Sequence, residues 1–495
     1  MTLMRASGIL LPITSLPSAY GIGTFSKEAY AFVDFLEKAG QKYWQVLPFG
    51  STGYGDSPYQ SFSTFAGNPY FVDLETLIKE GLLTEEECES VDYGDLAEQV
   101  EYDKIYHSRF KLLRLAYERF RTHTNDNFEA FCKEHETWLN DYSLFMAVKN
   151  YFGDKGIDEW DEDIRLRKTE ALEKYTKLLT DNIMFYKFIQ YKFFEQWNSL
   201  KAYANNKGIK IIGDIPIYVA YDSADAWANK QLFQFDTKGK PTAVAGCPPD
   251  SFSATGQLWG NPLYDWEYHK QTGYEWWIKR IAYCFKLYDV VRVDHFRGFD
   301  EYYSIPYGAK DAVIGKWEKG PGNDIFEHIK KALGNVDIIA EDLGFLTDSS
   351  RKLVEDCGYP GMKIIQFAFD SREESDYLPH NYNKNCVVYT GTHDNDTIVG
   401  WYNTLCEQDK KYAMAYVNNH NSKPEEIHWD YIKFTLASVA NLAIIPIQDY
   451  LGLDSKARIN TPSTLGGNWT WRMKKEDIDM DLAENIRYVT KLYGR

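Results

Sequence analysis

Five segments of the chain run from apolar, mostly β-branched residues into carboxylates: Ile211-Ile212-Gly213-Asp214, Val290-Val291-Arg292-Val293-Asp294, Ile338-Ile339-Ala340-Glu341-Asp342, Gly391-Thr392-His393-Asp394-Asn395-Asp396 and Gln448-Asp449. One such acid reads as a solvated loop carboxylate or a helix cap. Four or five at successive strand ends, with an arginine and two histidines among them, read as a reaction centre. Arg292 and Asp294 lie two apart and share a face, while Val291 and Val293 turn to surrounding helices. Two chemistries use such a set. In glycoside chemistry a protonated acid assists the leaving oxygen, and an ionised carboxylate about 5–5.5 Å away attacks the anomeric carbon. In metal-dependent barrel hydrolases His and Asp hold a cation. The metal pattern is poorly matched, because no early His-x-His or lysine bridge is evident. His295 and His393 each adjoin an acid, which strand alternation sends to the opposite face. No metal and no other cofactor is expected.

Carboxylates at strand ends need a scaffold that gathers strand ends. Eight short runs bounded by turn residues read as buried strands: Gly8–Ile13, Tyr43–Pro48, Ile209–Ile217, Val290–Asp294, Val336–Glu341, Met362–Phe369, Val387–Thr392 and Leu442–Gln448. Helix-length segments separate most of them, among them Glu28–Ala39, Trp276–Leu287, Asp324–Leu333 and Ser349–Cys357. Eight alternations predict an α/β fold, a (β/α)8 TIM barrel with its chemistry at the C-terminal strand ends, over an open doubly wound sheet. No complete Gly-x-Gly-x-x-Gly follows a strand, so a dinucleotide site is unsupported. Residues 1–74 and 209–495 are assigned to the barrel. Residues 75–208 read as a mainly helical insertion, with a capping box at Thr84 and Glu87 and apolar periodicity in Tyr106–Phe120 and Ile183–Trp197. Residues 219–275 are rich in Gly, Pro, Asp and aromatics and read as long loops over one barrel face, including a lid.

The 495 residues are 44 % apolar and 26 % charged, as in folded proteins, and carry a net charge of −17 that repels phosphate backbones and anionic lipid. No nucleic-acid or membrane partner is expected. The first residues pass straight into a strand with no cleavable apolar stretch, and the longest apolar run, Leu436 to Ile447, is too short to span a bilayer. The expected location is the cytoplasm. Seven scattered cysteines without a Cys-x-x-Cys pair read as free thiols. Aromatic residues reach 16 %, a surplus suited to stacking on the flat faces of sugar rings.

Further motifs extend this picture: Gly8-Ile9-Leu10-Leu11-Pro12, Ser57-Pro58-Tyr59-Gln60-Ser61, Ala66-Gly67-Asn68-Pro69, Cys247-Pro248-Pro249-Asp250, Gly256-Gln257-Leu258-Trp259-Gly260-Asn261-Pro262 and Gly467-Asn468-Trp469-Thr470-Trp471-Arg472. With the acid-bearing strands, they make almost the whole chain resemble the amylomaltase (4-α-glucanotransferase) family, glycoside hydrolase family 77, a relative of the α-amylases. The resemblance implies a retaining transferase that moves an α-1,4-glucan segment from a donor to the 4-hydroxyl of glucose or a maltooligosaccharide. It implies Asp294 as nucleophile, Glu341 as general acid and base, and Asp394 as transition-state stabiliser. Tyr59, in the motif opened by Ser57, corresponds to an aromatic platform under the sugar, and Asp214, Arg292, His295 and His393 correspond to hydrogen-bonding partners of that sugar. In the Gly246–Pro262 loop, Phe252 and Trp259 offer apolar cover, and Asp250 and Gln257 offer hydroxyl contacts. Asn460, Pro462 and Asn468 resemble the family's acceptor-side wall, with Ser463 where many members have glycine. A plain α-glucan hydrolase and a non-catalytic glucan-binding protein are the competing readings.

Overall fold

The structure is a computed structural model that describes residues 4–53, 55–249, 253–344, 346–417 and 426–495. Among the described residues, eight parallel strands form the central sheet: β1 (Ala6–Leu10), β2 (Tyr43–Gln45), β3 (Lys210–Pro216), β6 (Val290–Asp294), β9 (Ile338–Ala340), β10 (Gly361–Ile364), β11 (Cys386–Tyr389) and β12 (Leu442–Pro446). Their spatial order is β10-β11-β12-β1-β2-β3-β6-β9. β1 pairs with β12 as well as β2, so the first and last strands meet. The remaining seam, between β9 and β10, is crossed by Ala340 N–H donating to Pro360 O at 2.9 Å and Met362 N–H donating to Asp342 Oδ1 at 2.7 Å. The result is the expected (β/α)8 barrel. All eight predicted runs overlap a strand, and helices occupy Lys27–Lys38, Glu275–Leu287, Asp324–Leu333 and Asp348–Cys357. The eighth run stops at Pro446, and Gln448 and Asp449 fall in a short helix, Ile447–Tyr450, rather than at a strand end.

Strand alternation divides the apolar residues into two buried layers. Leu10, Tyr43, Ile212, Val290, Ile339, Val387, Tyr389 and Ile444 fill the barrel interior. Ile9, Trp44, Ile211, Val291, Val293 and Val388 pack outward into the continuous core under the helices. The same period of two places Gln45, Asp214, Arg292, Asp294 and Glu341 on the inward face, above the apolar floor. Among the described residues, these polar groups gather at the C-terminal ends of their strands, Asp214 and Arg292 buried and Asp294 partly exposed.

A helical region with long helices at Tyr102–Phe120, Glu136–Tyr151 and Thr180–Asn206 is inserted between β2 and β3. The predicted capping box is present: Thr84 Oγ1 accepts from Glu87 N–H, and Glu87 Oε2 accepts from Thr84 N–H. Two buried glutamines dock this region onto the barrel. Gln190 both donates to and accepts from the Gly67 backbone, at 2.9 and 2.7 Å, and Gln196 does the same at Asp73, at 3.3 and 2.7 Å. Gly67 is required there because a Cβ would lie 2.3 Å from the Phe193 ring. No described helix is long and apolar enough to cross a membrane.

The stretch 219–275 differs from the expected loops. It contains β4 (Ala243–Cys247) and β5 (Gln257–Pro262), which join β7 (Glu301–Pro306) and β8 (Lys316–Lys319) in a four-stranded antiparallel sheet, order β5-β4-β7-β8. β4 and β5 are short, and their register shifts between Val244 and Gly246, so neither shows a clean alternation. Their partners arrive from beyond β6, a pairing that local pattern does not reveal.

Gly8 marks the tightest interior approach of β1. A Cβ there would sit 2.6 Å from Tyr43 Cβ and 2.8 Å from Ile444 Cδ1. Gly8→Val should lower stability by about 1–3 kcal/mol through overpacking, read as a lower urea midpoint with an unchanged slope. An unshifted midpoint would show that the strands part there without cost.

Candidate active site

The inward rim positions of β3, β6 and β9 carry the centre of the site. Arg292, 3 % exposed, sends Nη1 to both oxygens of Asp214 at 2.8 and 2.7 Å and Nη2 to Asp294 Oδ1 at 3.0 Å. Its Nε points at Met362 Sδ, 3.4 Å away. Burial works against the guanidinium charge, but the Asp214 and Asp294 carboxylates outweigh it and hold the group firmly cationic. Asp214 is wholly buried, whereas the Asp294 side chain keeps 30 % exposure to the cleft.

Glu341 follows β9 directly, and Val293 pairs with Ala340 across β6 and β9, so Asp294 and Glu341 occupy adjacent positions on neighbouring strands. Backbone turns hold the Glu341 carboxylate from both sides. His295 N–H donates to Oε2 at 2.7 Å, and Leu343 N–H donates to Oε1 at 2.9 Å. His295 reaches this geometry through a left-handed backbone, φ +52°, which ends β6 and aims its N–H at the acid. Desolvation and then the Asp294 charge push the Glu341 carboxyl up to about 7, against the lowering effect of Arg292 and the two N–H donors.

Asp394 enters from the segment after β11. Its side chain is 43 % exposed in a walled cleft, with His393 Nε2 3.3 Å from Oδ2 and Asn460 Nδ2 donating to Oδ1 at 2.6 Å. Enclosure by the cleft disfavours the charge, yet His393 and Asn460 prevail and hold this carboxyl down at about 2. Burial likewise opposes a charge on His393, and the Asp394 carboxylate reverses that, raising the imidazole above its ordinary value. The His393 imidazole and the Asp394 carboxylate thus favour each other's charged forms, while Glu341 is raised to about 7. One exchangeable proton between fixed charges is the arrangement that acid–base assistance requires.

Other predicted residues surround these groups. The Tyr59 hydroxyl lies 2.9 Å from Asp214 Oδ2 and 2.9 Å from His393 Nε2, and its ring stacks on His393 at 5.2 Å. Ser57 supports that loop, its Oγ accepting from Tyr59 N–H at 3.3 Å. Trp259 stands edge-on to His295 at 4.9 Å and donates to Gln257 Oε1 at 3.1 Å, so β5 delivers both residues to the cleft. The His295 imidazole is pushed down to about 4 by burial, and its Nε2 has no hydrogen-bond partner among the described residues. Asp250 and Phe252 lie outside the described residues. Ser463 takes the left-handed backbone suited to glycine, φ +63°. Asn468 braces the same turn by accepting from Thr461 N–H at 2.9 Å.

Several strand-end acids do other work. Asp449 is buried, accepting from Thr390 Oγ1 and from Ile398 N–H at the start of the helix Ile398–Thr404, and burial raises it to about 6. Asp342 closes the β9–β10 seam, and Asp396 accepts from Ser455 Oγ at 2.6 Å. Residues that the sequence analysis did not single out also matter. Arg458 Nη2 donates to Asp394 O at 2.7 Å and its Nε to Asn460 O at 2.8 Å. Gln60 Nε2 donates to Asn261 Oδ1 at 3.1 Å, tying the Tyr59 loop to β5. A strand-end search passes over both because they sit in loops, remote in sequence from the residues they hold. Among the described residues, no group of three His, Cys, Asp or Glu is placed to hold a metal ion.

The family model for 4-alpha-glucanotransferase matches residues 11–478. A 4-alpha-glucanotransferase from Clostridium butyricum is 51 % identical over 98 % of this chain and 99 % of its own length. One from Streptococcus pneumoniae is 50 % identical over 99 % of this chain and 97 % of its own. The solved amylomaltase from Streptococcus agalactiae, in complex with acarbose, superposes with a TM-score of 0.97 at 43 % identity, covering 99 % of both chains. A barrel with its carboxylates gathered at one rim and full-length likeness to these enzymes lead to one conclusion: the chain belongs to the 4-α-glucanotransferase family.

Proposed function

We propose that this 4-α-glucanotransferase works by double displacement on an α-1,4-glucan, with Asp294 as nucleophile, Glu341 as acid and then base, and Asp394 as stabiliser of the charged sugar. One observation carries the reading: two carboxyls on adjacent strand ends have opposite protonation needs and opposite surroundings. Asp294 is paired with a guanidinium at 3.0 Å. Glu341, its neighbour, is raised to about 7. In the first half-reaction Glu341 protonates the glycosidic oxygen as an Asp294 oxygen bonds to the anomeric carbon. The C–O bond to the leaving chain breaks, and that chain departs with a free 4-hydroxyl. In the second half, the 4-hydroxyl of glucose or a maltooligosaccharide attacks the same carbon, its proton passes to Glu341, and Asp294 is released. Asp394, ionised throughout, bonds to sugar hydroxyls most strongly as the ring flattens, and such differential binding accelerates both steps.

Transfer in place of hydrolysis requires water to be kept from the glycosyl-enzyme. Trp259, braced by Gln257 and set against His295, supplies apolar cover beside that carbon. The donor and acceptor are neutral glucans, so Tyr59, Asp214, His295 and His393 recognise hydroxyls rather than charge. Asn460, which donates to Asp394, stands on the acceptor side.

Incubation with maltotriose followed by chromatography should give glucose and a ladder of longer maltooligosaccharides; accumulation of reducing ends without the ladder would leave a hydrolase. Asp294→Asn, Glu341→Gln and Asp394→Asn should each reduce transfer by about 10²–10⁴-fold with unchanged unfolding curves. Near-normal turnover in folded Asp294→Asn would remove it as nucleophile. Because the acid form of Glu341 is needed first, the rate should fall as pH rises through about 7. A profile flat to pH 9 would refute that role. Trp259→Ala should raise the ratio of hydrolysis to transfer, and an unchanged ratio would discount the cover it provides.

A further inference from the structure

Trp469 stands where the interior core of the barrel meets the Tyr59 and His393 rings, and its backbone is unusual. Its φ is +64°, a region that a bulky residue occupies only when its surroundings impose it. Two hydrogen bonds do so here. Its N–H donates to Ile459 O at 2.7 Å, and its carbonyl accepts from the Tyr102 hydroxyl at 2.9 Å. The side chain is 7 % exposed and belongs to the cluster that fills the barrel interior.

From that position the indole touches two site rings at once. Its centre lies 5.9 Å from the Tyr59 ring and 5.9 Å from the His393 ring, which stack on each other at 5.2 Å. Those rings form the middle of one polar series running from Arg292 through Asp214, Tyr59, His393 and Asp394 to Asn460. The Tyr59 hydroxyl has a single proton, which it gives to the Asp214 carboxylate at 2.9 Å. His393 Nε2 must then act as donor, shared between the Tyr59 oxygen at 2.9 Å and Asp394 Oδ2 at 3.3 Å. A shared donor of this kind tolerates little ring movement, because lengthening one contact releases the other.

We infer that Trp469 is a positioning residue for the transfer reaction, wedged against Tyr59 and His393 so that one imidazole N–H serves both Tyr59 and Asp394. It touches no sugar. It acts by keeping Asp394 oriented toward the flattening ring, and so rests on the role proposed above for Asp394.

The test compares Trp469→Phe and Trp469→Leu in maltotriose disproportionation, alongside their melting temperatures. Phenylalanine keeps a flat ring against both partners; leucine keeps apolar volume for the barrel core but not the flat face. A displacement of about 1 Å at a reacting group costs on the order of 10²-fold, so the leucine variant should lose roughly 30–100-fold in kcat with KM within about threefold. Phenylalanine should restore most of that rate. The inference is overturned if the two variants lose kcat equally, if the loss appears in KM, if kcat simply follows melting temperature, or if the leucine variant fails to fold, which would assign Trp469 to the core alone. Full activity in Asp394→Asn would instead sink the underlying reading, whereas an inactive Asp394→Asn beside a normal leucine variant would sink this inference alone.

Discussion

A guanidinium buried between two carboxylates organises this site. Arg292 reaches Asp214 below and Asp294 at the cleft from a single inward position on β6, so one side chain joins the floor of the barrel to its reactive rim. Stripping one partner from a buried ion pair typically costs about 3–5 kcal/mol, because the other charge is left without compensation. The neighbouring strands are therefore not free to choose what they present. β3 must offer an acid at its inward rim position, β9 must place Glu341 within the field of Asp294, and Tyr59 must satisfy the outer face of Asp214. The geometry of the candidate site and the packing of the core are one constraint at this level of the barrel.

The same electrostatics separates acids that look alike. Glu341 takes two backbone N–H donors and lies beside the Asp294 carboxylate, and burial with that charge raises it to about 7 despite Arg292. Asp394 has the His393 imidazole and the Asn460 amide beside it, and they hold its carboxyl down at about 2. Asp449 is nearer a strand end than Asp394, yet it is sealed under Thr390 and a helix start, where it serves backbone structure. Position along a strand nominates a carboxylate, and its hydrogen-bond partners decide its work.

Sequence legibility follows the range of the interactions. The barrel was readable because each strand is a short apolar run whose burial on both sides leaves a local mark, as in Val290–Asp294. The inward alignment of Arg292 and Asp294 was readable from their spacing. The antiparallel sheet of β4, β5, β7 and β8 was not, since irregular short strands from two separate insertions complete one another only in space. Arg458 and Trp469 escaped for a related reason: neither type nor spacing ties them to Asp394 or Tyr59, and their contacts arise from loop closure. Asp449 was readable as an acid but not as a structural one, because Thr390 and Ile398 are remote in sequence.

The pairing of β1 with β12 has a consequence for how this chain comes into being. Ala6 through Leu10 align with Leu442 through Pro446, so the first strand emerges from the ribosome long before one of its two neighbours exists. Contacts of such separation are slow to form, and an open strand edge invites association with other nascent chains in the interval. Residues 458–469, which complete the cleft, are later still. Without residues 442–469 the chain would keep Asp294, Glu341 and Asp394, the three carboxylates proposed to act, yet lose the strand between β11 and β1 and the contacts of Asn460 and Trp469 with the site.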